Sequence, residues 1–330
     1  MTPALTELAA RLTSAERLLL LTHEHPDGDA IGSLSALHRM LASVGVRSEV
    51  LVAEDDAPAA EYRFLVPWDQ VRRSLPDDLS GWTLALLDCG NRERSPLGDR
   101  EPTGAFVINV DHHHDNTRFG DLDFVDPDAS CTAEIVWRLR EPLGATIDDI
   151  AAQALYAGLV TDTGRFMYSN TGTEAHRMAA HLIELGVPVE QMYRRIYEGV
   201  EEGRVRLLAG ALAGIERHEA GALTLTWLSR DLFVGAGASD DWSEGIVDHL
   251  RAIEGTCVAA VVREPERDPS VRRVSLRAAR DGVDVSLIAR EAGGGGHKGA
   301  AGFSSDLPRE ELILFLRQAV ASQVGNSTIA

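Results

Sequence analysis

Short continuous apolar runs alternate with helix-spaced apolar residues through the first half of the chain, and this alternation narrows the fold most. Leu18–Thr22 reads as a buried strand, and Ala30–Ser43 as a helix with Leu34, Leu37 and Leu41 on one face. Val46–Val52, Leu84–Leu87 and Phe106–Val110 read as further strands. Thr132–Arg140, Ile147–Val160, Glu174–Leu185 and Val189–Val200 read as helices. Strands fully apolar on both faces, separated by helices, predict an α/β fold with a mostly parallel, doubly wound sheet.

The pattern changes after about residue 200. Strand candidates become Leu223–Leu228, Val258–Arg263 and Val271–Arg277, with helices at Asp241–Ile253, Val285–Glu291 and Arg309–Val320. Glu264–Ser270, with two prolines and four charges, reads as a hairpin loop. The chain has 330 residues, which at ~150 residues per domain suggests two. The expected division is a larger domain over 1–188, a helical linker over 189–204 and a smaller α/β domain over 205–325, with a cleft between the two. Ser322–Ala330 is polar enough to fray.

Charge and cysteine content exclude several classes. Thirty-two basic against 51 acidic residues give a net charge of −19, so nonspecific coating of nucleic acid is excluded. Acids in such excess can hold metal. Cys89, Cys131 and Cys257 are widely spaced and odd in number, against a disulfide scaffold or structural zinc. No apolar run approaches the ~20 residues that span a bilayer, and Leu18–Leu21 is too short for a signal-peptide core. The expectation is a cytoplasmic protein with no membrane partner.

Chemistry collects at the carboxyl ends of the apolar elements, where open α/β sheets build their sites. The first strand is followed by Thr22-His23-Glu24-His25-Pro26-Asp27-Gly28-Asp29. Taken alone, this loop reads equally as a turn with Asp29 capping the next helix. The pattern recurs, however: Leu84–Leu87 ends in Asp88, Phe106–Val110 in Asp111-His112-His113-His114, and the helix through Val160 in Thr161-Asp162-Thr163-Gly164. Carboxylates with a minority of imidazoles and no thiolate suit Mn²⁺ or Mg²⁺ better than structural zinc. There are more carboxylates than one ion needs. A pair of ions ~3.5–4 Å apart would use them in an in-line displacement at phosphorus.

The segments His23–Asp29, Leu87-Asp88, Asp111-His112-His113 and Thr161–Gly164 resemble the four motifs of the DHH phosphoesterase family. Gly293-Gly294-Gly295-Gly296-His297-Lys298 resembles the glycine-rich signature of the associated DHHA1 domain. The resemblance runs in order over nearly the whole chain. Its compact layout is similar to the bacterial branch that combines oligoribonuclease (nanoRNase) and 3′-phosphoadenosine-5′-phosphate phosphatase activities.

The resemblance implies two Mn²⁺ ions, with Mg²⁺ or Co²⁺ as substitutes. One would be held by His23, Asp27, Asp88 and Asp162, the other by Asp29, Asp88, His112 and Asp162. Asp111 would orient a histidine, and His113 would face the substrate phosphate as donor or proton shuttle. Gly294, Gly295, Gly296, His297, Lys298 and Arg277 would bind substrate from the second domain, with Arg118 and Arg165 as further phosphate contacts. The implied function is two-metal, in-line attack of water on short oligoribonucleotides, giving mononucleotides, and on 3′-phosphoadenosine-5′-phosphate, giving AMP. A homodimer is implied by the family alone. Only 5% of the residues are aromatic, against the long stacking track that extended RNA needs.

The alternatives are a soluble phosphodiesterase for cyclic-di-AMP or linear dinucleotides, a manganese inorganic pyrophosphatase, and an inactive nucleotide-binding regulator. With no membrane or sensor segment ahead of the motifs in this sequence, the membrane-bound phosphodiesterase is not the expectation. The glycine-rich run argues against the pyrophosphatase, and the intact acid and histidine set against the regulator. A long single-strand DNA exonuclease of the related recombination class would need a longer chain.

Overall fold

The computed structural model describes residues 4–53, 59–66, 70–199, 201–268, 270–280, 282–296 and 298–326. The chain divides into two compact units, Met1–Gly199 and Val200–Ala330.

The first unit runs α1 (Leu5–Thr13), β1 (Leu18–Leu21), α2 (Gly28–Ser43), β2 (Ser48–Val50), β3 (Thr83–Leu87), β4 (Phe106–Asp111), β5 (Leu122–Val125), α3 (Thr132–Arg138), α4 (Arg140–Leu143), α5 (Asp149–Asp162), α6 (Thr173–Glu184) and α7 (Val189–Tyr197). Its five strands lie in the order β2-β1-β3-β4-β5, all parallel. Leu18–Leu21 are buried without exception, as expected where helices cover both faces. The chain leaves β1 toward β2 on one side and returns to β3 on the other. The topological switch point therefore lies between β1 and β3, where such sheets place their ligands.

Helices α2 and α5 pack closely through glycines. A Cβ at Gly32 would sit 2.4 Å from the Ala154 carbonyl oxygen, and one at Gly158 would sit 2.8 Å from Asp29 Oδ1. Small residues thus let two backbones meet, which brings the start of α2 against the end of α5.

The second unit runs α8 (Glu202–Ala213), β6 (Glu216–His218), β7 (Leu223–Leu228), α9 (Arg230–Ala236), α10 (Ile246–Arg251), β8 (Val258–Arg263), β9 (Arg272–Ala278), α11 (Val285–Glu291), β10 (Gly295–Gly296), β11 (Ala300–Ser305) and α12 (Arg309–Asn326). Its mixed sheet is ordered β10-β11-β9-β8-β7-β6, and only β7 and β8 pair in parallel. The α/β architecture with a parallel first sheet and a second α/β unit is the one expected.

Several local readings change. The expected helix over 241–253 is a single turn at Asp240–Ser243 followed by α10, because Gly245 takes a left-handed φ of 82° between them. Thr132–Arg140 ends at Arg138 and restarts as α4. The strand over 46–52 contracts to Ser48–Val50. Helix α12 continues to Asn326, so 322–326 are helical where fraying was expected, and 327–330 lie outside the described residues. Glu264–Ser270 does connect an antiparallel pair, β8 and β9. The three cysteines are free and buried. Among the described residues no helix is long and apolar enough to cross a membrane.

Candidate metal centre

Seven side chains from four places in the sequence converge beyond the carboxyl ends of β1, β3 and β4. Among the described residues, three groups of potential ligands each fall within 4.8 Å: His23, Asp27 and Asp88; Asp29, His112 and Asp162; Asp88, His112 and His113. Asp88 and His112 belong to two groups each.

Local backbone chemistry fixes these donors. Asp27, not Asp29, caps α2: its Oδ1 accepts from the amides of Asp29 at 3.0 Å and Ala30 at 3.1 Å. Asp29 instead turns inward to the start of α3. Its Oδ2 accepts from the Thr132 amide at 2.7 Å, and its Oδ1 from the Ala133 amide at 2.9 Å and the Ser33 hydroxyl at 3.3 Å. Asp88 follows β3 with a left-handed φ of 56°, a conformation costly for a residue with a Cβ and common where function holds strain. The Thr132 hydroxyl donates to its Oδ1 at 3.0 Å.

The histidines are equally constrained. His23 Nδ1 lies 2.7 Å from the Glu24 carbonyl oxygen. A carbonyl only accepts, so Nδ1 carries a proton and Nε2 is the nitrogen that faces the carboxylates, 3.7 Å from Asp88 Oδ2. His112 Nε2 stands 3.8 Å from Asp88 Oδ1 and 3.6 Å from Asp162 Oδ2. His113 Nδ1 donates to Asp111 Oδ1 at 2.8 Å, and that hydrogen bond raises its pKa to about 9. Asp111, fully buried, also accepts from the His112 amide at 2.8 Å and from Asn116 Nδ2 at 2.5 Å.

Burial, followed by mutual repulsion, shifts most of the acids upward. Burial, then Asp88 and Asp162, raises the Asp29 pKa well above the usual carboxylate range. Burial, aided by Asp88 and Asp27, carries Asp162 up to about 7. Asp27 is exposed by surface area but closely crowded, and that crowding together with Asp88 pushes it up as well. Asp88 alone is held below the usual range: burial opposes this, but the His23 hydrogen bond and the charges of His112, His113 and His23 outweigh it. Carboxylates crowded this closely, with imidazoles facing them, are a donor set that fits a divalent cation. Cys89, next to Asp88, offers no thiolate: burial and Asp111 raise its pKa to about 12.

The other candidate residues are placed differently. Arg118 is exposed with a φ of 52°. Arg165 Nη1 donates to the Tyr193 hydroxyl at 3.2 Å, and its guanidinium lies 4.9 Å from the Tyr197 ring centroid. In the second unit, Arg277 lies on β9, where its Nη1 donates to the Leu276 carbonyl at 3.2 Å. The amides of Gly293 and Gly294 are already used on the Arg290 and Ala289 carbonyls that end α11, and Gly295–Gly296 pair with β11. The glycine run is therefore in part a sheet edge, and a Cβ at Gly294 would meet the Gly302 carbonyl oxygen at 2.2 Å. Lys298 is exposed; His297 lies outside the described residues.

Sequence reasoning missed three supports. Thr132 reads only as helix-start chemistry, yet it touches both Asp29 and Asp88. Asn116 holds Asp111. Asn170 Nδ2 donates to the Asp162 carbonyl and Oδ2, both at 3.1 Å, and to the Ser130 carbonyl at 2.8 Å. Asn116 and Asn170 each sit a few residues past a motif, with no periodicity or charge to mark them.

Two family models match the chain: "DHH family, N-terminal domain" over residues 17–159 and "DHHA1 domain" over residues 222–325. A "Bifunctional oligoribonuclease and PAP phosphatase NrnA" from Thermus thermophilus is 36% identical over 285 residues, 86% of this chain and 83% of the relative. A protein of the same description from Bacillus subtilis is 28% identical over 302 residues, 91% of this chain and 92% of the relative. The crystal structure of an exopolyphosphatase-related protein from Bacteroides fragilis shares the fold, with a TM-score of 0.85 at 24% identity over 96% of both chains.

Proposed function

The chain belongs to the DHH family, with a DHHA1 domain following its DHH domain, and on that footing we propose that it is a metal-dependent phosphoesterase. Its substrates are short oligoribonucleotides, cleaved to mononucleotides, and 3′-phosphoadenosine-5′-phosphate, cleaved to AMP. The observation that carries the reading is the convergence of His23, Asp27, Asp29, Asp88, His112 and Asp162 into overlapping ligand groups. The activities for which the relatives are named supply the substrate class.

The proposed ligand sets are His23, Asp27, Asp88 and Asp162 for one ion, and Asp29, Asp88, His112 and Asp162 for the other, with Asp88 and Asp162 shared. The absence of a thiolate and the excess of carboxylate favour Mn²⁺, with Mg²⁺ and Co²⁺ as substitutes. When bound, such a pair lowers the pKa of water and draws charge from phosphate oxygens. The chain's own part is to hold that arrangement. The Glu24 carbonyl fixes the His23 tautomer, and the α3 amides fix Asp29. Asp111 keeps His113 protonated on Nδ1 and charged, so that it can donate a proton to a phosphate or leaving oxygen. We assign substrate contacts to Arg118 and Arg165 in the first unit, and to Arg277, Gly294–Gly296, His297 and Lys298 in the second. The DHHA1 match favours a nucleotide substrate over pyrophosphate. The same family reading supports a homodimer and a cytoplasmic place of action.

The test is steady-state kinetics with Mn²⁺ on diadenylate, 3′-phosphoadenosine-5′-phosphate, cyclic-di-AMP, pyrophosphate and a chromogenic diester. The first two should have the highest kcat/KM. Pyrophosphate or the cyclic dinucleotide as best substrate would overturn the assignment.

A further inference from the structure

Immediately after Asp162 the backbone does something unusual. Gly164, Arg165 and Phe166 take left-handed φ values of 55°, 64° and 66° in succession. Two of these carry a Cβ, for which that region is costly. The turn is heavily anchored. The Thr163 hydroxyl donates to the Leu159 carbonyl at 2.6 Å and accepts from the Phe166 amide at 3.2 Å. The Thr163 carbonyl accepts from the amides of Met167 and Tyr168, and the Arg165 amide donates to the Val160 carbonyl. Asn170 ties the far end of the loop back to Asp162.

The strained turn presents a surface rather than filling the core. Phe166 stacks on His176 with centroids 5.1 Å apart, but Met167 is 69% and Tyr168 45% exposed. Helix α7 brings Tyr193, 42% exposed, and Tyr197, their rings 4.9 Å apart. Arg165 lies between, bonded to the Tyr193 hydroxyl and over the Tyr197 ring. The Tyr197 hydroxyl donates to the Val160 carbonyl, two residues before Asp162. Of the chain's five tyrosines, three are therefore gathered with an arginine and an exposed methionine beside a candidate metal ligand.

We propose that Tyr168, Met167, Tyr193 and Arg165 form a platform on which a nucleobase of the substrate stacks, so that this loop reads the base while the neighbouring acids address the phosphoester. Bases offer flat π-faces to aromatic side chains and guanidinium planes, and such stacking tolerates any base. The location argues for this occupant: the loop that carries the surface is tied by Asn170 to Asp162 itself. The proposal rests on the nucleotide-hydrolase reading above.

The experiment compares diadenylate with dinucleotides lacking one base or the other, for wild type, Tyr168→Ala, Tyr168→Phe, Met167→Ala and Tyr193→Ala. Equilibrium binding of AMP and of ribose 5-phosphate is measured alongside. Wild type should favour AMP over ribose 5-phosphate. Tyr168→Ala should lower that preference by about 5- to 150-fold, the range set by one stacked base. The kcat/KM ratio of diadenylate to one abasic form should collapse in parallel, through KM, and Tyr168→Phe should restore it. Met167→Ala and Tyr193→Ala, at exposed positions, guard against misfolding as the cause. Equal losses on base-bearing and base-free ligands, or unchanged AMP preference in all three alanine variants, would overturn the platform. Loss of self-association in these variants, seen by sedimentation with AMP preference intact, would overturn it in favour of a contact between copies. Failure to hydrolyse any nucleotide while AMP preference still depends on Tyr168 would count against the hydrolase reading alone.

Discussion

Single hydrogen bonds separate the residues that would hold metal from those that would act on substrate. His113 Nδ1 is committed to Asp111, which leaves its role to the opposite ring nitrogen. His113→Ala should keep both metal equivalents and lose about 10²–10⁴ in kcat, read by metal analysis beside turnover. Asn170 should behave in the opposite way. Its Nδ2 donates to Asp162 Oδ2 at 3.1 Å, and residues that orient ligands typically contribute about 10- to 100-fold in metal affinity. Asn170→Ala should therefore weaken Mn²⁺ binding in a calorimetric titration, with turnover restored at saturating metal. Metal loss in the first variant, or unchanged affinity in the second, would reverse these assignments.

Elements carry the site through their packing, and glycine decides how closely they approach. Asp29 rides on α2 and Asp162 ends α5. At Gly32 an added Cβ meets backbone, the Ala154 carbonyl oxygen at 2.4 Å, and cannot be relieved by a rotamer change. Gly32→Ala should cost about 1–3 kcal/mol of stability as overpacking does and lower metal affinity as well, because the helices bearing the two acids must separate. Gly235, inside α9 with nothing within 4 Å of its added Cβ, supplies the opposite sign: Gly235→Ala should stabilise by about 0.4–1 kcal/mol. Denaturant titrations of both variants check the pair. The same scale shows what the sequence made legible. Buried parallel strands such as Leu18–Leu21 and Thr83–Leu87 are continuous apolar runs, visible without any partner. Strand β11, Ala-Ala-Gly-Phe-Ser-Ser, lacks such a run and is defined by its pairing to β9. Helix α9 and the short β5 were likewise unmarked. Acids and histidines at strand ends could be read one by one from their positions. That Asp29 serves α3, and that Thr132 reaches Asp88, depended on contacts across about a hundred and about forty residues of chain.

At the scale of the whole molecule, the charge of the chain is concentrated into a consequence for stability. Every candidate ligand belongs to the first unit, whereas the second has its own apolar core around Leu225, Val258, Leu276 and Leu316. Without metal, burial first, and then repulsion from Asp88 and from one another, raises the pKa values of Asp27, Asp29 and Asp162. A ligand that binds only the folded state stabilises in proportion to the logarithm of its concentration over Kd, about 2.7 kcal/mol at a hundredfold excess. Chelation should therefore lower the melting transition of the first unit and leave that of the second in place, so that scanning calorimetry resolves two transitions of which one moves. Asp162→Asn removes one of the repelling charges while still presenting an oxygen to Asn170. In chelated protein it should raise the first transition by roughly 2–4 °C, the shift that about 1 kcal/mol produces in a unit of this size. With Mn²⁺ present the order should invert, because the variant has lost a ligand that the wild type uses. Asp162→Asn melting below wild type in chelator would mean that the carboxylates do not strain the metal-free fold. Chelation moving both transitions equally would mean that the two units unfold as one.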